Sequence, residues 1–285
     1  MNKIYFFMFF FLLFILSCDK QLDNIEQNLN NSFYEEMITL NNNIISYKYN
    51  ISSNLSVYRS LSGRVDFVNE YNKIAYINRQ KLEKDIFSRI KYFDMGDEVE
   101  YLSNIYFKNN HTYYQLLNSE WIKITFEEFD HGLNKVEEYG DKLKDIISLI
   151  DYNNFVKIKK QEGNIKLLFD IDSEKLFEYV FYNEFNIGSS HSFVYNYDSS
   201  SINIDNLFQE KYLILKLDEN NYIIEINIKF SMLYSQETTN NKFLGIDAKI
   251  EYNSKIDINN INEIIELKLP EKVENARLHS FNFRI

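Results

Sequence analysis

The chain has 285 residues, a formal charge of −11 and one cysteine, so it can bury one substantial core but cannot form an intramolecular disulfide. The acidic balance excludes a phosphate-backbone binder, which needs clustered Lys and Arg, and speaks against adhesion to anionic lipid head groups. With 24 Phe and 22 Tyr against seven Gly and one Pro, the composition favours pleated, half-buried strands with few breaks, though an AT-rich genome produces part of the same bias.

Lys3 precedes an apolar run, Ile4 to Leu16, and small Ser17 abuts the lone Cys18. A charged start, a short apolar stretch and a small residue before the cut are the parts of an export signal. A transmembrane helix needs about 20 apolar residues, and polar Asp19-Lys20-Gln21 stops this run short. Ile15-Leu16-Ser17-Cys18 resembles the lipobox of bacterial lipoproteins. That resemblance implies cleavage after Ser17, acylation of the Cys18 thiol and a lipid-anchored protein of the bacterial cell envelope, with membrane and leaflet left open. An ordinary secretory signal with a stray cysteine, or a short membrane anchor, are the alternatives. Residues 1–17 are thus expected as signal peptide, 18–31 as a polar tether and 32–285 as a single domain.

Along the chain, Ser32–Asn42 is expected as a helix, with Phe33, Met37 and Leu40 near one face. From Ile44 the period becomes two. Val65/Phe67 and Ile74/Tyr76 mark two strands with Glu70-Tyr71-Asn72 as a turn between them, and Lys81–Ile90 is expected as a short helical piece. Glu98–Thr125 predicts three successive strands, the first two joined by a tight Asn109-Asn110 turn. Phe126–Leu133 and Glu137–Ile150 are expected as helices, the second with Leu143, Ile146, Ile147 and Ile150 on one face. A hairpin, Phe155–Lys160 with Asn164–Asp170, turns at Glu162-Gly163, and Asp172-Ser173 caps a helix to about Tyr182. After a Ser/Asn-rich loop, Ile224, Ile226, Ile228 and Phe230 oppose Glu225, Asn227 and Lys229. Ile246, Ala248, Ile250 and Tyr252 alternate in the same way, which means a sheet with one wet and one dry face. Helices punctuate the strands rather than alternate with them. The expected fold is α+β, a curved antiparallel sheet with helices on one face.

Few motifs carry chemistry. There is no phosphate-cradling glycine loop, no HExxH and no GxSxG elbow. His111, His131, His191 and His279 lie far apart without metal-ligand spacing, and carboxylate pairs such as Asp170/Asp172 are expected by chance in an acidic chain. No enzyme activity, metal, cofactor or nucleic-acid partner is therefore expected, and oligomeric state is not legible. The apolar excess of the sheet says more. Bulky rings recur on the presumed inner strands, at Phe67, Tyr76, Phe107, Trp121, Phe169 and Phe230. The pattern alone fits both a filled core and a lined cavity.

Asn104–Ile124 runs through a strand, a tight turn, a Tyr-rich strand and Trp121-Ile122-Lys123-Ile124. This order resembles a hairpin of the LolA/LolB and LprG/LppX-like envelope lipoproteins. Lys249–Ser254, then Ile264–Ala276 with the only proline at Pro270, resembles that family's closing strand and turn, and Ser62–Phe67 its second strand. The Ser189–Asn206 region is longer and more polar than the family pattern. The resemblance implies a half-open antiparallel barrel whose concave face, lidded by helices, holds acyl chains of lipid or lipoprotein for transfer between membranes. Tyr76, Phe107, Trp121, Ile226, Ile228 and Ile250 are the expected cavity walls by strand parity. The rival is a surface-exposed interaction lipoprotein, an adhesin or host-factor binder, with a filled core.

Overall fold

The computed structural model describes residues 30–59, 65–94, 97–108, 111–116, 120–125, 140–161, 163–180, 204–234 and 248–278. Helix α1 (Asn31–Asn42) starts where Asn30 accepts a hydrogen bond from the Phe33 amide at 2.7 Å, satisfying one of the free amides of a first helical turn. Four strands follow: β1 (Ser46–Arg59), β2 (Val65–Asn78), β3 (Glu83–Asp94) and β4 (Asp97–Lys108). Then come β5 (His111–Leu116), β6 (Ile122–Thr125) and helix α2 (Lys142–Leu149). The hairpin β7 (Phe155–Gln161) and β8 (Asn164–Phe169) leads to α3 (Ser173–Glu178), capped by Asp172. Strands β9 (Phe208–Leu217), β10 (Ile223–Tyr234) and β11 (Ala248–Asn259) follow, then a short α4 (Glu271–Glu274) and β12 (Arg277–Leu278).

The strands join one curved sheet in the order β12-β6-β5-β4-β3-β2-β1-β11-β10-β9-β8-β7. All neighbours are antiparallel except β12, which runs parallel to β6. The sheet does not close, so the expected α+β half-open architecture is the observed one. Its centre is the pairing of β1 with β11, which brings Tyr49 opposite Ile258 and Leu55 opposite Tyr252.

Two local expectations are corrected. Glu70-Tyr71-Asn72 is not a turn: β2 runs unbroken for 14 residues, with Glu70, Tyr71 and Asn72 opposite Asn54, Ser53 and Ser52. The alternation of Tyr71, Lys73, Ala75 and Ile77 toward the buried face continues through it. Nor is Lys81–Ile90 helical. Glu83 onward is strand β3, because its backbone is claimed on both sides by β2 and β4. A smaller correction concerns Ile224, which leaves the inner face because a bulge between Ile223 and Glu225 resets the parity and buries Ile223 instead. The expected helix over Phe126–Leu133 and the Asn109-Asn110 turn lie outside the described residues.

Helices α1 to α3 pack on the inner face, and α1 and α2 are held there by a buried polar anchor. Asp141, the N-cap of α2, is fully buried. Arg79, in the turn after β2, reaches it with Nε at 2.6 Å and Nη2 at 2.9 Å, and Tyr47 of β1 donates its hydroxyl at 2.6 Å. The remaining guanidinium nitrogen donates to the carbonyls of Asn41, Asn42 and Ile44, where α1 ends. One ion pair thus fixes both helices to the sheet. Next to it, Gly140 has φ +74°, and a Cβ there would stand 2.8 Å from Ile86 Cδ1, so the approach to the sheet requires glycine.

A second, smaller core lies on the outer face. From Glu263 to Pro270 the chain crosses that face as a strap. Tyr76 donates its hydroxyl to the Ile265 carbonyl at 2.9 Å and accepts from the Ile265 amide, and Lys108 on β4 donates to the Leu267 carbonyl. Tyr76, Tyr113, Leu267 and Val273 are buried apart from the main core.

Burial raises the Asp141 carboxyl, but the hydrogen bond and charge of Arg79, with Tyr47, bring it below the usual carboxylate range. Its contribution is therefore present above the unfolded value near about 4 and lost as pH falls through the folded one. Asp141→Asn leaves Arg79 without its counter-charge and is expected to cost about 3–5 kcal/mol at neutral pH, read by urea denaturation. The same variant should show a flatter loss of stability between pH 4 and pH 2.

Candidate functional site

The inner face is the candidate site, and its content follows from strand parity. On β1 the inward residues are Tyr47, Tyr49, Ile51, Ser53, Leu55 and Val57, all buried. Beside them β11 contributes Ile258, Ile256, Ser254, Tyr252 and Ile250, and β10 contributes Ile226, Ile228, Phe230 and Met232. Leu213, Leu215 and Leu217 of β9 and Leu167 and Phe169 of β8 extend the apolar surface toward the β7 edge.

This surface has two halves. At one end α1 and α2 are seated. Tyr49 donates to the Gly140 carbonyl at 2.8 Å, Tyr47 accepts from the Leu143 amide at 3.1 Å, and Lys142 Nζ lies 4.5 Å from the Tyr179 ring centre. Leu55 lies six residues along β1 from Tyr49, about 20 Å away, whereas α2 is about 12 Å long. In that far half the apolar face continues through Leu55, Val57, Met232 and Ile250, with a ring stack of Phe230 on Tyr252 (5.1 Å, 23°) and Phe208 against Phe230 (5.4 Å). Between the halves two small side chains, Ser53 and Ser254, are buried opposite one another with hydroxyl oxygens 2.8 Å apart, flanked by Tyr71 on β2 and Ile228 on β10.

Two buried cations interrupt the apolar surface. Lys73 on β2 has Nζ 5.9 Å from the Tyr49 ring centre, and Lys84 on β3 has Nζ 5.6 Å from that of Phe107. Burial depresses the Lys84 ammonium to about 8, an effect that the Asp141 charge opposes and Lys144 reinforces. Burial also holds the Tyr47 and Tyr49 hydroxyls well above the ordinary tyrosine range.

Of the six walls expected from sequence, Phe107, Ile226, Ile228 and Ile250 point to the inner face. Ile226 and Ile228 sit together on β10, and Ile250 is opposite Met232 at the far end. Phe107 is five strands from β10 in the sheet, yet it belongs to the same continuous buried core as the other three. Tyr76 and Trp121 are on the outer face and cannot line the inner one. Tyr76 faces the strap, and Trp121 packs its ring 5.6 Å from that of Tyr106, whose register partner is Asp85 beside Tyr76. Parity misplaced them because burial occurs on both faces. Cys18, His131, His191 and His279 lie outside the described residues. His111 is half-buried, 6.2 Å from the Tyr113 ring. Among the described residues no group of three His, Cys, Asp or Glu could hold a metal ion, and no helix is long and apolar enough to cross a membrane.

Residues missed by sequence reasoning are Arg79, Asp141, Lys84 and the Ser53–Ser254 pair. Asp141 carried a usable signal, an Asp directly before an apolar periodic run. The others carried none. On the outer face a polar trough of about 670 Å³ runs between β9, β10, β11 and β1, lined in part by Asn54, Glu210, Lys229, Glu251 and Asn253. Its lysines are matched by carboxylates, as in Lys229–Glu210 at 3.5 Å.

The chain matches no family model and no curated protein. Among solved structures it is similar to LprF from Mycobacterium bovis, at 11% identity over 83% of this chain and 94% of that one, with a TM-score of 0.42.

Lys84 generates a pH test. Below about 8 the folded chain holds the charge at a desolvation cost; between 8 and 10.5 the folded lysine is neutral while the unfolded one still binds a proton. Stability should therefore rise by about 1–2 kcal/mol from pH 7.5 to pH 9.5. Urea melts of Lys84→Met should lack that rise.

Proposed function

We propose that this is a lipid-anchored bacterial envelope lipoprotein that shelters acyl chains of a lipid or lipoprotein on the far half of its inner face. The observation that carries the reading is the length of the apolar face. It runs the 14 residues of β1 and stays buried to its far end, whereas among the described residues the helical anchor holds only the near end. The small Ser53–Ser254 pair supports it, since it lowers the floor between two bulky apolar zones. The Ile15–Cys18 lipobox pattern and the family likeness of the β4–β6 hairpin and closing segment point the same way.

The energetics are simple. Each buried methylene contributes about 0.8 kcal/mol, so a 16-carbon chain gains about 12 kcal/mol gross before its lost freedom is subtracted. Binding of this kind makes and breaks no bond, and no catalytic residue, metal or cofactor enters it. An acylated Cys18 and its tether would limit travel, so the role proposed is that of a membrane-bound receiver or donor rather than a soluble shuttle. The second reading, an interaction lipoprotein with a filled core, is favoured by the Phe208–Phe230–Tyr252 stack, which occupies the same half.

Native mass spectrometry of the full chain, purified from its host without delipidation, separates the two. Copurified acyl lipid, with uptake of a fluorescent fatty acid, is the expected result. Ser254→Phe, which fills the floor, should lower that uptake at least tenfold while circular dichroism stays unchanged. Neither copurified lipid nor uptake would overturn the proposal in favour of the filled core.

A further inference from the structure

The outer face carries a charge arrangement that the net charge conceals. Lys159 on β7, Lys166 on β8 and Lys216 on β9 are direct register partners, one behind the other across three strands. Lys157 flanks them on the same face of β7, and Val156 at the same edge is 54% exposed. Like charges directly opposite across strands repel one another. No ion pair involves any of these four lysines among the described residues. On the neighbouring strands the practice differs: Lys229 meets Glu210, Lys249 meets Glu251, and Lys255 meets Asp257 and Glu225. Glu225, the register partner of Lys216, is thus engaged by Lys255 and by the Asn227 amide instead.

Edge protection explains part of this. β7 is the outermost strand, and lysines there discourage pairing with another sheet. It does not explain Lys166 and Lys216, which lie on interior strands where no backbone edge is exposed. A cationic row with an exposed valine beside it suits an anionic lipid surface, where each lysine near the head groups raises partitioning about fivefold.

The position of the chain's start selects that occupant. Asn30 and Tyr34 open α1, and Tyr34 lies 5.6 Å from the ring of Tyr152 and donates to the Ile150 carbonyl at 3.2 Å. Tyr152 stands three residues before β7. The segment from Cys18 therefore joins the fold at the corner from which the lysine strand departs. Eleven residues separate Cys18 from Asn30, at most about 40 Å of chain.

We infer that the Lys159–Lys166–Lys216 row, with Lys157 and Val156, is a docking face for an anionic bilayer surface, set beside the membrane by the Cys18 tether. The inference rests on the anchored-lipoprotein reading but not on acyl binding.

The test uses the chain from residue 18 with Cys18→Ser, which keeps every described element, on vesicles of phosphatidylcholine with and without 30% phosphatidylglycerol. Binding should appear only on the anionic vesicles and weaken steeply with salt. Lys159→Gln with Lys166→Gln and Lys216→Gln should lower it at least 30-fold with an unchanged or higher melting temperature. Lys255→Glu should change it less than twofold. Equal binding to neutral vesicles, unchanged binding by the triple variant, or tighter binding to heparin or DNA would each overturn the inference. Native mass spectrometry of the same samples reports acyl lipid separately, so loss of docking with lipid retained counts against this face alone.

Discussion

One buried ion pair decides how the helices sit on this sheet. Arg79 and Asp141 are 62 residues apart, and their contact joins the β2–β3 turn, the end of α1, the start of α2 and the Tyr47 hydroxyl of β1. Two charges taken out of water repay that cost only when their remaining donors and acceptors are satisfied. Here they are, because Asp141 also accepts from the Lys144 amide as a helix cap and the guanidinium spends its other protons on three carbonyls. The geometry leaves little freedom. Were α2 to shift, the cap, the tyrosine and the close packing of Gly140 on Ile86 would fail together.

Much of the sheet was legible. Ile226, Ile228 and Phe230, and Ile250 with Tyr252, alternate cleanly because they face one continuous core and their neighbours face water. Legibility ended where that condition failed. Tyr76 and Trp121 are large and apolar enough to be read as inward, yet the strap and Tyr106 give them partners on the other side. Glu70-Tyr71-Asn72 looked like a turn because two polar residues surround a tyrosine, and an outward Glu and Asn on a long strand look no different. Lys84 presents the converse problem. A lysine four residues after Gln80 gives no hint that its ammonium will be buried beneath Phe107, since long-range pairing alone puts it there.

The two faces of the sheet also divide the chemistry. The inner face concentrates aliphatic and aromatic surface, and the Ser53–Ser254 hydroxyls and the Lys73 and Lys84 ammoniums are bonded or set near rings there. On the outer face β9, β10 and β11 balance lysine against carboxylate in a ladder, while the β7–β8 hairpin breaks that balance. Composition sums over both and reports only a net acidic protein, so the local imbalance is invisible until register places the residues side by side.

The central pairing of β1 with β11 has a consequence in time. Lys48 meets Asn259, and Arg59 meets Ala248, so the middle of the sheet is built from the two ends of the chain. Such distant contacts make for slow assembly, because a long loop must close before any of them is rewarded. Strand β1, the first of the described strands in chain order, is thus among the last to be completed on both sides. Until β11 has been made, β1 keeps one edge without its partner, and the two halves of the sheet cannot join.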